Sequence, residues 1–425
     1  MKWILGQLAR LTIWRFEPKI IAVSGSVERN SAMEAMQAVL TSGRKNPGSV
    51  RISKGEYAGE WKIPLAIVSD KAGDDLRILS QDDSGFAGFL RKIFLWAEVI
   101  FSAILKLFAM QRMAYPEILI LEYEATRPGE IKNLLEIGRP YTGVITLLGR
   151  IPAHVESWDG PEAVFREQAS LVEYLPGNGF AVLNFDDEDV LRMKERTRAK
   201  VVTFGFGEGA DLNLSGFAHR LENNTPRGIS FKLSYGGSTV PVVIGNVLGR
   251  IESYAAAAAA CIGLIFDLNL LEISEALRTC ELNSAGIKLV RGIKGANIID
   301  SSVSTSPDSI QEALRALRDL PGNRKLAVLG DILGLGKYSI EAHETLGKIA
   351  GQSINYLFTI GPRGKFIAEG ARSAGLARSR ISSFDTSLEV GIELQNLIRE
   401  NDLILVGGSK EIGLDKIIEE IKKID

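Results

Sequence analysis

Two hydrophobic rhythms alternate along most of this chain. Short unbroken aliphatic runs, such as Ile20-Ile-Ala-Val23, Ile118-Leu-Ile-Leu121 and Ala181-Val-Leu183, are separated by stretches in which apolar residues recur every three or four positions. The first kind has the length of a strand buried on both faces, and the second is the stripe of an amphipathic helix. The pattern predicts strands at 19–23, 117–122, 143–148, 179–184 and 200–204. Helices are predicted after the first of these (Met33, Met36, Val39 and Leu40 inward) and at 130–137, 161–174 and 188–196. Residues 41–85 read as short strands and turns, with Pro64-Leu-Ala-Ile-Val68 the clearest strand. Repeated strand–helix units imply a largely parallel sheet covered by helices.

From about Asn213 to Val247 the rhythm becomes polar–apolar alternation, as in Gly228-Ile-Ser-Phe-Lys-Leu-Ser234, which predicts an antiparallel flap on the same domain. Helices at 254–264 and 270–279 close that unit. A second α/β series follows, with strands at 296–300, 325–330, 356–360 and 402–406. Its helices fall at 308–318, 340–350, 364–374, 387–399 and 414–423, and it carries no G-x-G-x-x-G fingerprint. The expected organisation is a leader helix over 1–16, a central domain over 17–282 and a smaller Rossmann-like domain over 283–425.

Two apolar stretches invite comparison with membrane anchors. Residues 1–16 place Trp3, Ile4, Leu8, Leu11, Ile13 and Trp14 among Lys2, Arg10 and Arg15, and run straight into the first strand without a small-residue cleavage site. This reads as an amphipathic helix that packs on the body or touches a membrane surface. Residues 86–110 are strongly apolar but carry Arg91, Lys92, Glu98 and Lys106, a density of charge that predicts a buried or interfacial helix rather than a span.

At 425 residues two or three domains are expected, and 45% hydrophobic with 24% charged residues is the balance of a water-soluble globular protein. A formal net charge of −2 argues against a general nucleic-acid binder. Cys261 and Cys280 show no metal-type spacing and read as buried thiols of a reducing, cytoplasmic setting.

Candidate chemistry begins where the first strand enters Gly25-Ser-Val-Glu-Arg-Asn-Ser31 and a helix. Strand, glycine turn and helix form either an ordinary turn or the setting of a phosphate-binding loop. Such a loop needs glycine for close backbone approach, a lysine for the β and γ phosphates and a hydroxyl on Mg²⁺. Here Glu28-Arg29-Asn30 stand where Gly-Lys-Ser/Thr is needed. A Glu28 carboxylate ~4 Å from a phosphate charge would repel it by roughly 1 kcal/mol in bulk water and roughly 4 at an effective dielectric of 20. Asn30 can offer an amide oxygen, and Ser31 lies one position late.

Several further stretches occur in the order found in Mur ligases. They are Leu121-Glu-Tyr-Glu-Ala-Thr-Arg-Pro-Gly-Glu-Ile131, Gly143-Val-Ile-Thr146, Pro152-Ala-His-Val-Glu156, Gly179-Phe-Ala-Val-Leu-Asn-Phe-Asp-Asp187, Ile298-Ile-Asp300, Ser306-Pro-Asp-Ser309, Ala327-Val-Leu-Gly-Asp331 and Gly408-Ser409. The chain resembles this family from Pro18 onward, and within it the D-alanyl-D-alanine-adding branch. The leader helix stands where the usual UDP-sugar domain would precede the first strand.

The resemblance implies an ATP-type central domain and a Rossmann-like C-terminal domain. The implied chemistry is amide-bond formation through an acyl phosphate, with ATP and Mg²⁺ as cofactors and a UDP-muramoyl peptide and D-alanyl-D-alanine as ligands. It places Glu122 at the Mg²⁺-binding glutamate, His154 beside the second metal and Gln168 at a carbamylated lysine. Gly25, Ser26, Arg29, Asn30, Ser31 and Asp300 fall at the nucleotide. It also marks departures: Gln168 cannot carry a carbamate, Ile251-Glu252 replace an Asn–His pair, Gly286 replaces an arginine, and Gly407-Gly-Ser-Lys410 replaces K-G-S-R. Scaffold residues persist while polar site residues are exchanged. That implies a pseudoenzyme, or a strongly weakened enzyme, that binds a cell-wall precursor or a working ligase. The alternatives are a ligase with a rebuilt site, or one acting on a folate-type or polyamide substrate. Outside the loop, His343 reads as a satisfied interface histidine, Asp300 and Asp331 as loop-ordering groups, and His219 carries no implication.

Overall fold

The computed structural model describes residues 2–42, 47–53, 61–69, 86–108, 115–223, 225–282, 286–304 and 306–423. Helix α1 (Lys2–Phe16) leads into β1 (Lys19–Ser24), the glycine loop and α2 (Arg29–Ser42). After β2 (Val50–Ile52) come α3 (Lys62–Val68), α4 (Phe86–Phe108), β3 (Ile118–Glu122), α5 (Glu130–Ile137), β4 (Thr142–Ile145), α6 (Pro161–Glu173), β5 (Phe180–Asn184), α7 (Glu188–Arg192) and β6 (Lys200–Gly205). The hairpin strands β7 (Leu212–Glu222), β8 (Thr225–Tyr235) and β9 (Ser238–Gly245), then α8 (Ile251–Ile265) and α9 (Leu270–Thr279), complete the unit.

These strands form one nine-stranded sheet ordered β2-β3-β1-β4-β5-β6-β7-β8-β9. It is parallel from β2 to the β6–β7 pair and antiparallel through β7, β8 and β9. The expected flap is therefore an extension of the main sheet. One face is covered by α2, α8 and α9, where the alanines of 255–260 let α8 lie close on the core. The other is covered by α1, α3, α4, α5 and α6.

The second sheet comprises β10 (Lys288–Arg291), β11 (Asn297–Ser301), β12 (Lys325–Gly330), β13 (Tyr356–Ile360), β14 (Ile381–Phe384) and β15 (Leu403–Gly407), ordered β10-β11-β15-β12-β13-β14. Among the described strands of this sheet, only the β10–β11 pair is antiparallel. Helices α10 (Pro307–Asp319), α11 (Ser339–Gly351) and α12 (Gly364–Ser373) cover one face, and α13 (Ser387–Leu397) and α14 (Asp415–Ile421) the other. The two units meet through apolar side chains: Val27 of the glycine loop and Leu248 and Ile251 share a core cluster with Ile287, Ile310 and Leu335.

Residues 64–68 correct the sequence reading: they are helix, not strand. Ile63 to Val68 are all buried, and a fully buried helix shows the same unbroken apolar run as a buried strand. Pro64 sits in the first turn, where its missing N–H has no intrahelical partner to lose. The rest of 41–85, apart from β2, lies largely outside the described residues. Cys261 is buried as expected, but Cys280, just past α9, is only partly so.

Candidate functional site

The glycine loop joins β1 to α2 at the carboxyl edge of the sheet, where α/β folds bind ligands. Gly25 has φ +131°, and a Cβ there would lie 2.3 Å from Thr146 Oγ1 and 3.1 Å from the Leu147 carbonyl, so only glycine fits. Ser26 closes the turn through its backbone N–H, which donates to the Leu147 carbonyl (2.6 Å). Glu28 retains a left-handed backbone (φ 57°), a conformation glycine adopts without penalty and a side chain resists.

Around this loop charged groups of the chain pair with one another. Arg29 Nε donates to Glu122 Oε1 (2.8 Å) and its terminal nitrogen to Glu124 Oε1 (2.6 Å), with a further bond to the Gly25 carbonyl. Lys62, carried in by α3, donates to the other Glu122 oxygen. Both Glu122 oxygens are thus held by cations, on a side chain that is 2% exposed. Burial alone would raise the Glu122 pKa, but the Arg29 and Lys62 charges outweigh it and bring it down to about 2. Ser31 donates its hydroxyl to Glu28, and Asn30 is exposed, with no side-chain hydrogen bond among the described residues.

Glu28 points toward the second domain rather than out into the loop. It accepts from the Gly286 backbone N–H, and a Cβ on Gly286 would lie only 2.8 Å from Glu28 Oε1. Behind it Glu252, fully buried at the start of α8, accepts from the Ile287 N–H (3.2 Å), while its second oxygen is buried with no hydrogen-bond partner among the described residues. Burial raises the pKa of both carboxyls, and the proximity of Glu28 raises that of Glu252 further. The obstacle at this position is accordingly an inserted, hydrogen-bonded carboxyl. The like-charge repulsion expected from sequence assumed an ionised group, which this environment disfavours.

The other sequence-predicted residues are dispersed. Gln168 is buried in α6, where its side-chain oxygen and the Tyr123 carbonyl (2.5 Å) share the single Ser24 hydroxyl donor. His154 is exposed in a left-handed turn beside Gly334 of the second domain, and its ring makes no hydrogen bond among the described residues. Asp300 accepts from Ser302 N–H (3.0 Å) and Oγ (2.7 Å), ordering its own turn. Asp331 accepts from the Arg363 backbone N–H (3.0 Å), and buried His343 receives the Ile332 N–H at Nε2 (3.0 Å) while Nδ1 faces the Ser339 carbonyl (2.6 Å). That pattern fixes a neutral tautomer, a structural role. The sequence reading missed Lys62, because the α3 segment was taken for a strand, and Glu124, two residues past its expected carboxylate.

The side chains at the positions that the resemblance assigns to Mg²⁺ and nucleotide are engaged by other groups of the chain. Glu122 is held by two side-chain cations and the Ser31 hydroxyl by Glu28, and among the described residues no three His, Cys, Asp or Glu side chains converge as a metal site.

Comparison with known proteins agrees with this architecture. The Mur ligase middle-domain model matches residues 101–263, and the Mur ligase glutamate ligase domain model matches 287–410. The chain belongs to the Mur ligase family. It is 26% identical over 307 residues to the UDP-N-acetylmuramoyl-tripeptide–D-alanyl-D-alanine ligase of Bacillus subtilis, covering 72% of this chain and 64% of that enzyme. The Synechocystis enzyme of the same name is 24% identical over 412 residues, covering 96% of this chain and 75% of its own. The chain thus spans just under two thirds of the first of these Mur ligase relatives. Among solved structures, the MurF ligase of Thermotoga maritima in complex with ADP superposes with a TM-score of 0.76 at 22% identity, covering 99% of this chain and 83% of that one. A MurF of Acinetobacter baumannii gives 0.77 at 19%, covering 99% and 80%.

Proposed function

We propose that this Mur ligase-family chain, of the D-alanyl-D-alanine-adding branch, has exchanged ATP-driven amide-bond formation for binding. Its ligand is a peptidoglycan precursor of the UDP-muramoyl peptide or D-alanyl-D-alanine class, or a working cell-wall ligase, and it acts in the cytoplasm. The observation that carries this reading is the double ion pair on Glu122. Arg29 and Lys62 supply within the protein the positive charge that a metal would bring. The Glu28–Gly286 and Glu252–Ile287 contacts support it, because they are substitutions fitted to one another rather than random losses.

The test is a titration with Mg·ATP, read by heat and by thermal shift, on the natural chain and on a Glu28→Gly, Arg29→Lys, Asn30→Thr variant. The natural chain should give no signal at millimolar nucleotide, and the variant should gain one. Micromolar binding by the natural chain would overturn the proposal in favour of a ligase with a rebuilt site. A parallel titration with UDP-muramoyl tripeptide and with D-alanyl-D-alanine addresses the ligand. Silence toward both, with a working ligase captured instead, leaves the partner arm.

A further inference from the structure

Helix α4 is apolar on two opposite sides. Leu95, Val99 and Ala103 are buried, the latter two within the core beneath the sheet, with Trp96 edge-on to Trp61 (ring centroids 5.3 Å apart). On its other side Phe94, Phe101, Leu105 and Phe108 recur at helical spacing and are 73%, 64%, 54% and 82% exposed. Helix α1, packed beside it, repeats the arrangement: Leu5, Leu8 and Ala9 are buried, whereas Trp3 and Trp14 are each about three-quarters exposed. Two neighbouring helices therefore each present a row of large apolar side chains to solvent, tryptophans among them, which is more than scattered surface residues explain.

The charge on these helices identifies the occupant. Between them α1 and α4 carry six basic residues and one acidic residue, Glu98, in a chain whose formal net charge is −2; Arg10 is turned to Glu136 of α5, and Lys92, Lys106 and Glu98 also have partners within the protein. A protein partner for an apolar face does not require that bias, but an anionic lipid surface does: phenylalanine and leucine enter the acyl boundary, tryptophan sits at headgroup level, and Lys and Arg meet lipid phosphates. At 23 residues α4 is about 34 Å long, enough to lie across many headgroups. Among the described residues no helix is long and apolar enough to cross a membrane.

We propose that α1 and α4 form a monotopic docking face that holds this protein on an anionic lipid bilayer, lying in the interface plane. It uses none of the residues of the nucleotide region, so it stands or falls independently of the proposed function. The test is co-sedimentation of the full chain with phosphatidylglycerol/phosphatidylcholine vesicles and with pure phosphatidylcholine vesicles, at low and high salt. Binding is expected to the anionic vesicles, reduced by salt, and weakened more than tenfold by Phe94→Ser, Phe101→Ser, Phe108→Ser together. A blue shift of tryptophan fluorescence when vesicles are added to the natural chain provides a readout that does not depend on the variant folding. No binding and no blue shift with anionic vesicles overturns the proposal. So does a dimer of the natural chain that ignores vesicles and that the triple variant abolishes, which would assign the face to a second copy.

Discussion

Replacing Glu122 by glutamine separates a structural carboxylate from one held in reserve for a metal. Glu122 falls from an ordinary pKa of 4.5 to about 2 in the folded protein, a difference worth about 3 kcal/mol at neutral pH at 1.36 kcal/mol per unit. The side chain is 2% exposed, so solvent screening removes little of this. Glu122→Gln also leaves Lys62 and Arg29, 15% and 18% exposed, without their shared counter-charge, although Arg29 keeps Glu124. Breaking a buried pair costs about 3–5 kcal/mol, and the remaining Glu124 contact brings the expectation to about 2–3. The assay is urea unfolding of both proteins at pH 7, repeated toward acid. Because the folded pKa is depressed, the advantage of the natural chain is complete above pH 4.5 and fades as pH falls toward 2. An equally or more stable Glu122→Gln protein at pH 7 would refute the reasoning, since it would mark Glu122 as a carboxylate strained in the absence of a metal. Added Mg²⁺ should not change the natural chain's urea midpoint.

Other perturbations probe the surrounding contacts. Asp308, pressed against Gly149 at the junction of the two units, has its pKa raised to about 6 by burial, with Asp187 and Glu312 adding to it. A raised carboxyl favours the folded state below about pH 4 and costs stability as pH rises through 6, so Asp308→Asn should gain about 2–3 kcal/mol at pH 8 and little at pH 4, read by urea midpoints. Glu252→Gln should show the same sign, with a higher midpoint at pH 8 than the natural chain and a smaller gap at pH 5. Gly25→Ala should cost about 2–4 kcal/mol through its left-handed backbone and the Thr146 overlap, measured by thermal unfolding.

Much of the fold was legible because buried parallel strands and amphipathic helices leave different periods in the sequence. β1, β3, β5 and β12, with the helices between strands, stand close to where the pattern put them. The failure at α3 has a physical cause: a helix buried on all sides has no polar face to reveal its period. That error hid Lys62, because a residue ahead of a strand gives no reason to look for it beside Glu122. Strands β10 and β14 escaped notice as four-residue edge strands with half-exposed positions. The identity of the unusual loop residues was readable, but their geometry was not. Nothing local to Glu28 indicates that it turns toward Gly286, a residue more than 250 positions away.

That long-range contact bears on how the site could be reversed. Glu28 occupies space that Gly286 leaves open, and Glu252 fills the space over Gly249, where a Cβ would lie 2.3 Å from its carboxyl. Residues fitted to one another should not behave additively. Gly286→Val in the natural chain forces its side chain against Glu28 and should cost about 1–3 kcal/mol as overpacking. On a Glu28→Gly background the obstacle is gone, and the same substitution should cost clearly less. Urea midpoints for the two singles, the double and the natural chain complete the cycle. A coupling near zero would mean that Glu28 does not reach Gly286 in solution, and the carboxyl would then be free to swing back over the loop.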